Sequence, residues 1–501
     1  MFSYNCKTKR TIIFFTVCLV LSVSVSLAAP PDNNDVVTTM KKASDFMMNT
    51  VSNRGGFVWS YSADLSEQWG EIPARKSMIW VQDPGTVGVG EMYLRAYRVT
   101  GEPENLEYAE RTANVLIYGQ HPSGGWHYFI DFDMPGVEKW YDEVAEHCWG
   151  WEEYYHYYGN CTFDDNVSSG VTEFMLDIYM ETLKPEYKMP LLKALDFILV
   201  SQYPNGGWPQ RYPLSNEYPH DGHDDYTPYY TFNDEVITNN IHLLLKAYEL
   251  LGIEKYREAA YRGMDFTMIS QYVNKDGVFQ AGWSAQHDMN LIPAAARSYE
   301  PASISPGYTV RAIRDLEQFY MMTGNRKYLT VIPDAITWLE QSYLPENHKT
   351  NDRVTHATFY ELGTNKPLYA HREGTSIETG HYWIDYEPKN FPGHYGMQQT
   401  VNVASVRKEF ERVNALSPEQ AMAEYRANKS AESPLPKVDS DEIVELISSL
   451  DSRGAWITKL NIPDYIDLVN NPRRTLDGIS TQVFIRNMHR LIDFLEVSAG
   501  Q

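Results

Sequence analysis

Ser201-Gln-Tyr-Pro-Asn-Gly-Gly-Trp-Pro-Gln-Arg-Tyr-Pro213, with Tyr229-Tyr-Thr-Phe-Asn-Asp-Glu235 after it, is the stretch whose reading decides the fold. The first part reads as a helix end running into a glycine-rich turn loaded with aromatics, the second as the start of the next helix. Weaker copies recur. Asp45 to Trp59, Ala113 to Trp126, Asp196 to Trp208 and Asp265 to Phe279 share one outline. Gln120-His-Pro-Ser-Gly-Gly-Trp126 lies 82 residues before its counterpart, and Asp265-Phe266 lies 69 residues after Asp196-Phe197. Such self-similarity marks an internal repeat.

Within each unit, apolar residues fall on helical faces: Leu191, Ala194, Leu195 and Ile198, then Ile237, Ile241, Leu244, Leu245 and Tyr248. Breaks at Thr100-Gly101, Gly252 and Thr323-Gly324 separate paired helices. A helix pair cannot bury its apolar face alone, so the units must stack on one another. The expected class is all-α, an α/α toroid with an aromatic insertion at Trp140 to Cys161 and a C-terminal helical extension. An open solenoid has the same periodicity but no central cleft. The domains expected are a signal peptide over 1–29, the toroid over 30–428, and a linker with the helical extension over 429–501.

The signal is read from the basic start at Lys7, Lys9 and Arg10, the apolar run Thr11 to Leu27 and the small residues Ala28 and Ala29. It implies a secreted or periplasmic protein with no membrane span after cleavage, expected to be a monomer. Loss of its three cations takes the formal charge from -23 to -26, which argues against nucleic acid and anionic membranes as partners. In an exported chain the remaining cysteines, Cys148 and Cys161, are candidates for a disulfide.

Asp165, in Asp164-Asp-Asn-Val-Ser-Ser-Gly170, and Asp234 open helices in the same register of successive repeats. Each is either a helix cap or one of a pair of carboxylates on one rim, a suitable oxygen set for Ca²⁺. His220-Asp-Gly-His-Asp-Asp225 lacks helical ligand spacing and reads as a solvated acidic loop. Aromatics of the insertion, Trp149, Trp151, Tyr154, Tyr155, Tyr157 and Tyr158, form either a sugar-stacking platform or a segment packed on itself. Arg297, beside Tyr299, and Arg372 sit in small-residue or turn segments, where a guanidinium fork suits either a carboxylate ligand or a neighbouring acid.

Taken in order, Asn205-Gly-Gly-Trp-Pro-Gln210, Thr231-Phe-Asn-Asp234, Trp283-Ser-Ala-Gln-His-Asp288 with Ala296-Arg-Ser-Tyr-Glu300, and Phe359-Tyr-Glu-Leu-Gly-Thr-Asn-Lys-Pro367 resemble the motifs of the pectic acid lyases, polysaccharide lyase family ten. The resemblance covers roughly residues 100 to 400. It implies Ca²⁺-dependent β-elimination on polygalacturonate or a related uronate polysaccharide. By motif, Asp165 and Asp234 resemble the calcium carboxylates, Arg297 the arginine gripping a uronate carboxylate, and Arg372 the arginine that takes the C5 proton. Trp208, Arg211, Tyr299 and Lys366 are the further substrate-binding residues expected. Thr358 stands where the family has an arginine, and Lys366 replaces another, so carboxylate recognition is weakened or re-aimed. Two rivals remain at this stage: a toroidal glycoside hydrolase using Asp165 and Asp234, and a non-catalytic glycan-binding relative.

Overall fold

The structure, a computed structural model, describes residues 31–146, 154, 157–215, 224–373, 381–392, 395–431, 435–463 and 473–499. The expected signal peptide and Cys148, Trp149, Trp151, Tyr155 and 220–223 lie outside them. Helix α1 (Asn33–Phe46) is followed by the pair α2 (Thr86–Thr100) and α3 (Pro103–Tyr118), and the insertion contributes α4 (Val137–Glu146). Three more pairs follow: α5 (Val167–Thr182) with α6 (Pro185–Ser201), α7 (Val236–Leu251) with α8 (Glu254–Ile269), and α9 (Pro306–Thr323) with α10 (Ile332–Gln341). The chain ends with α11 (Val403–Ala415), α12 (Pro418–Ser430), α13 (Ser440–Ser449) and α14 (Thr481–Ala499).

One local device ends the first helix of every pair. The residue after it adopts a left-handed conformation, at Gly101, Leu183, Gly252 and Gly324, and its N–H donates to the carbonyl of Tyr97, Tyr179, Tyr248 or Tyr320. In the first three pairs two residues separate the second helix from the first; after Gly324 a short turn, Arg326–Leu329, intervenes before α10.

A second device follows the outer helix of each unit. At Gly206 φ is +104°, and a Cβ there would lie 2.1 Å from the carbonyl oxygen of Arg262 in α8, so only glycine admits the contact. The same turn docks Gly55 on α3, Gly124 on α6 and Gly454 on α1, each against a backbone carbonyl. Three of these turns then bury a tryptophan whose indole N–H reaches back ten residues, Trp126 donating to the Leu116 carbonyl (2.8 Å), Trp208 to Ile198 (2.9 Å) and Trp456 to Leu446 (2.9 Å); the Gly55 turn buries Phe57 in that place.

The fold is an α/α toroid. Helices α14, α2, α5, α7 and α9 form the inner ring, clamped by bonds such as Ser169 to Asn240 (2.8 Å) and Thr238 to Asp315 (2.6 Å). Helix α5 touches neighbours on all sides, and Val171, Phe174, Met175, Leu176 and Ile178 are buried in it. Short two-stranded ladders knit one rim together: Cys161–Thr162 with Arg211–Tyr212, and Tyr230–Thr231 with Gln286–His287. A four-stranded sheet, in the order Ser303–Ile304, Phe359–Glu361, Pro367–Glu373, His381–Asp385, stands beside that rim.

The C-terminal extension is helical at α13 and α14 but is woven into the toroid rather than laid on its edge. Its hairpin, Ile457–Pro463 with Arg473–Ser480, adds to strand Ser60–Ser62, and α14 packs on α1 and α2. Lys429 and Ser430, expected as linker, belong to α12.

Candidate active site

Entering α5, Phe163 is right-handed, Asp165 has φ +48° and Asn166 φ +58°; entering α7, Phe232, Asp234 and Glu235 repeat this with φ +48° and +59° at the last two. Paired left-handed residues without glycine cost of the order of 1–2 kcal/mol each. The N-cap positions of α5 and α7 are Asn166 and Glu235, one residue further on, so neither Asp165 nor Asp234 is the cap residue. Both carboxylates border the same cavities.

They face two adjoining cavities. The central one, about 1000 Å³, lies within the inner ring. The other, about 170 Å³, opens on the rim and is walled by Tyr128, Tyr154, Tyr299 and Tyr395. Asp165, Asp234 and Glu71 border both. Gln82 donates to Asp165 Oδ2 (2.6 Å) and Asn233 to Asp234 Oδ2 (2.5 Å).

Beneath them runs a buried ion network that sequence reasoning missed. Arg297, buried, donates through Nη2 to Asp164 Oδ2 (3.2 Å) and through Nη1 to Glu300 Oε2 (3.2 Å); Tyr128 donates to Asp164 (2.5 Å) and Tyr395 to Glu300 Oε1 (2.9 Å). Burial, then the charge of neighbouring Asp164, pushes the Asp234 carboxyl up. Burial opposes ionisation of Asp164 as well, but Arg297 and hydrogen bonds from Asp234 and Tyr128 outweigh it and hold its carboxyl below the usual range. The two carboxyls titrate as a coupled pair, burial favouring the neutral form of Asp234 and Arg297 the ionised form of Asp164. Asp164 and Glu300 both lay inside quoted motifs; the signal passed over was their adjacency to Asp165 and their register with Arg297.

The remaining candidates divide. Tyr299 is brought to the site, buried against Tyr395 (ring centroids 4.9 Å) and Tyr382 (5.8 Å). Arg372 is directly opposite Tyr382 in the hairpin, so both side chains share the sheet face turned to the site, but Arg372 lines neither cavity. Trp208, expected on the rim, is fully buried as the turn's anchor. Arg211 is 1% exposed, its guanidinium held between the rings of Tyr158 (4.3 Å) and Tyr128 (5.2 Å), so it braces the site from below rather than meeting solvent. Lys366 is exposed and lies over the Tyr386 ring (5.0 Å), outside both cavities; six positions before Arg372 on the strand path, it is about 20 Å away. Thr358 donates to the Gly396 carbonyl (2.7 Å).

Of the insertion, Trp140, Tyr141, Tyr154 and Tyr158 are buried, and Trp140 and Tyr154 pack on Trp80. The described part is therefore packed on the body of the protein, and Tyr154 reaches Glu71 with its hydroxyl (3.1 Å). Cys161 is buried with Sγ 3.4 Å from Ser123 Oγ; its expected partner is outside the described residues. No described helix is long and apolar enough to cross a membrane.

The rim that carries the two aspartates, the arginine network and the hairpin falls within one stretch of chain, and that stretch matches a known family. Residues 149–390 match the pectic acid lyase family. The resemblance read from the four motifs thus holds for the site-bearing half of this pectic-acid-lyase-like chain. Solved structures with partial similarity include the Family 10 polysaccharide lyase from Cellvibrio cellulosa (TM-score 0.44, 19% identity, 66% of this chain and 98% of that one) and a mutant of it in complex with trigalacturonic acid (0.43, 19%, 65% and 98%). A GH76 α-mannanase from Bacteroides thetaiotaomicron is also similar in part (0.39, 11%, 93% and 98%). No curated protein matches the chain.

Proposed function

We propose that the protein is an exported polysaccharide lyase that cleaves polygalacturonate, or a related uronate-containing polymer, by calcium-assisted β-elimination. The observation that carries this reading is the convergence of Asp165, Asp234 and Arg297 on one rim cavity within the family-matched region.

The carboxylates fit a hard cation. Asp234 is pushed up by burial and by Asp164 and Asp165, a surplus of negative charge that a divalent ion would relieve. Among the described residues no three acidic, histidine or cysteine side chains stand ready as a complete metal site, so polymer carboxylates and water would supply the other ligands. Bound there, Ca²⁺ would draw charge from the uronate carboxylate and acidify the C5 proton. Arg297, held as a cation by Asp164 and Glu300, would grip the uronate carboxylate; Arg372, on the hairpin face beside Tyr382, would take the C5 proton in its neutral form. The C4 oxygen of the next sugar then leaves, and the aromatic walls keep water from the carbanionic centre.

One observation favours a second reading, hydrolysis. Asp165 and Asp234 border one cavity, and burial favours the neutral form of Asp234, as a general acid beside a second carboxylate requires. The product separates the two: a lyase leaves an unsaturated, ultraviolet-absorbing uronate end, a hydrolase does not. In an assay across a panel of uronate polymers, product absorbance should rise with Ca²⁺ and cease in chelator; full activity in chelator would remove the calcium role.

A further inference from the structure

A third cavity, about 450 Å³, lies between α9 and the start of α11, away from the rim. Its size is within the range of small-molecule sites. Glu317, in its wall, is only 6% exposed, and its Oε1 has no hydrogen-bond partner. A buried carboxyl oxygen without a donor costs free energy that a ligand hydroxyl or amide would recover. One turn earlier, Arg314 also borders the cavity; its charge acts on Glu317, but it makes no ion-pair contact among the described residues. On the opposite wall, Gln399, Asn402 and Ser405 surround the N-terminus of α11, where the helix dipole favours negative charge. The wall holds no aromatic ring.

A buried carboxyl oxygen without a donor, a guanidinium without an ion-pair contact and a helix N-terminus, with Glu409 completing the wall, ask for a ligand with hydroxyl donors and a carboxylate. We propose that this cavity is an accessory site for a short uronate, a mono- or disaccharide of the kind the cleft would release, with Arg314 and the α11 N-terminus taking the carboxylate and Glu317 the hydroxyls. The ligand's identity rests on the function proposed above; the site itself rests on the cavity. Arg311 borders both this cavity and the central one and pairs with Glu235 (3.4 Å), the residue after Asp234, so the accessory site is one side chain removed from the catalytic carboxylates.

Calorimetric titration of the full chain with D-galacturonate and unsaturated digalacturonate, with neutral galactose as control, tests this. Arg314 is exposed and its replacement leaves the core intact. The wild type should show a binding event that Arg314→Ala weakens by about tenfold or more, the loss expected for one charge-assisted contact. Glu317→Gln, which keeps the side chain's shape, should weaken it as well, while initial rates on polymer stay unchanged in both variants. Binding unaltered in Arg314→Ala, galactose binding as tightly as galacturonate, or no binding event at all would overturn the inference. Binding that persists in a protein with no lyase product would overturn the proposed activity and leave the accessory site standing.

Discussion

Arg297 and Arg372 show how far a residue's type and motif leave its task open. Both are arginines in segments that resemble the lyase motifs, yet only Arg297 touches the carboxylate network, through Asp164 and Glu300. Arg372→Ala should lower kcat by about 10²-fold or more, as expected for loss of a proton acceptor. Arg297→Ala, which removes a carboxylate grip and leaves Asp164 and Glu300 without their cation, should raise KM and lower stability. Steady-state kinetics on polygalacturonate and thermal melts check both, and a kcat loss confined to Arg297→Ala would move the proton transfer there. Glu317 allows a stability test at the same scale. Burial pushes its carboxyl from 4.5 to about 7. A raised acid is favoured in its neutral form by folding, so its contribution is intact below pH 4.5 and lost as pH rises through 7. Melts at pH 5 and pH 8 should show Glu317→Gln sparing the protein about 1–3 kcal/mol of that loss.

Among the elements, the glycine turn does more architectural work than any single helix. Gly206 is fixed by φ +104° and by the Arg262 carbonyl, which a methyl group would strike. Gly206→Ala should cost about 2 kcal/mol or more, measured by denaturant unfolding, because backbone strain and steric overlap add there. Nothing comparable is expected of Gly252→Ala on steric grounds, since no atom lies within 4 Å of a Cβ at that position and only its left-handed backbone resists. Trp208 belongs to this element as well. Its motif position marked it as substrate-binding, but the ring is fully buried and its indole N–H is spent on the Ile198 carbonyl. An aromatic beside two glycines reads alike whether it faces solvent or fills the space that the glycines vacate.

The whole ring is closed by its C-terminal segment. Gly454 docks on Lys42 of α1, Trp456 anchors the turn, and α14 lies between α1 and α2 on the inner ring. Arg95 of α2 pairs with Asp493 (2.8 Å) and Glu496 (2.9 Å) of α14. Truncation after Ser430 should therefore leave α1 and α2 with exposed apolar faces and yield a protein that melts early or precipitates, as read by circular dichroism and gel filtration. A chain lacking these residues that melted like the full one would show the ring to be stable open. The fifth copy of the repeat escaped sequence reading because it runs Arg453-Gly-Ala-Trp456. Its first glycine, the one forced by a close backbone contact, is kept, but the second has become alanine.

What the sequence determined by itself was local and periodic: the paired helices, their glycine breaks, the four recognised turns, and the equivalence of Asp165 with Asp234. These follow from propensity, hydrophobic spacing and turn stereochemistry, which act within a few residues. Only the tertiary structure decided which side chains share a cavity. Asp164 meets Arg297 across 133 positions of chain, and Gly454 meets Lys42 from the far end. Burial, which turned Trp208 and Arg211 from expected sugar contacts into supports, is a property of the closed ring. No periodic pattern specifies which face of a turn the ring will cover.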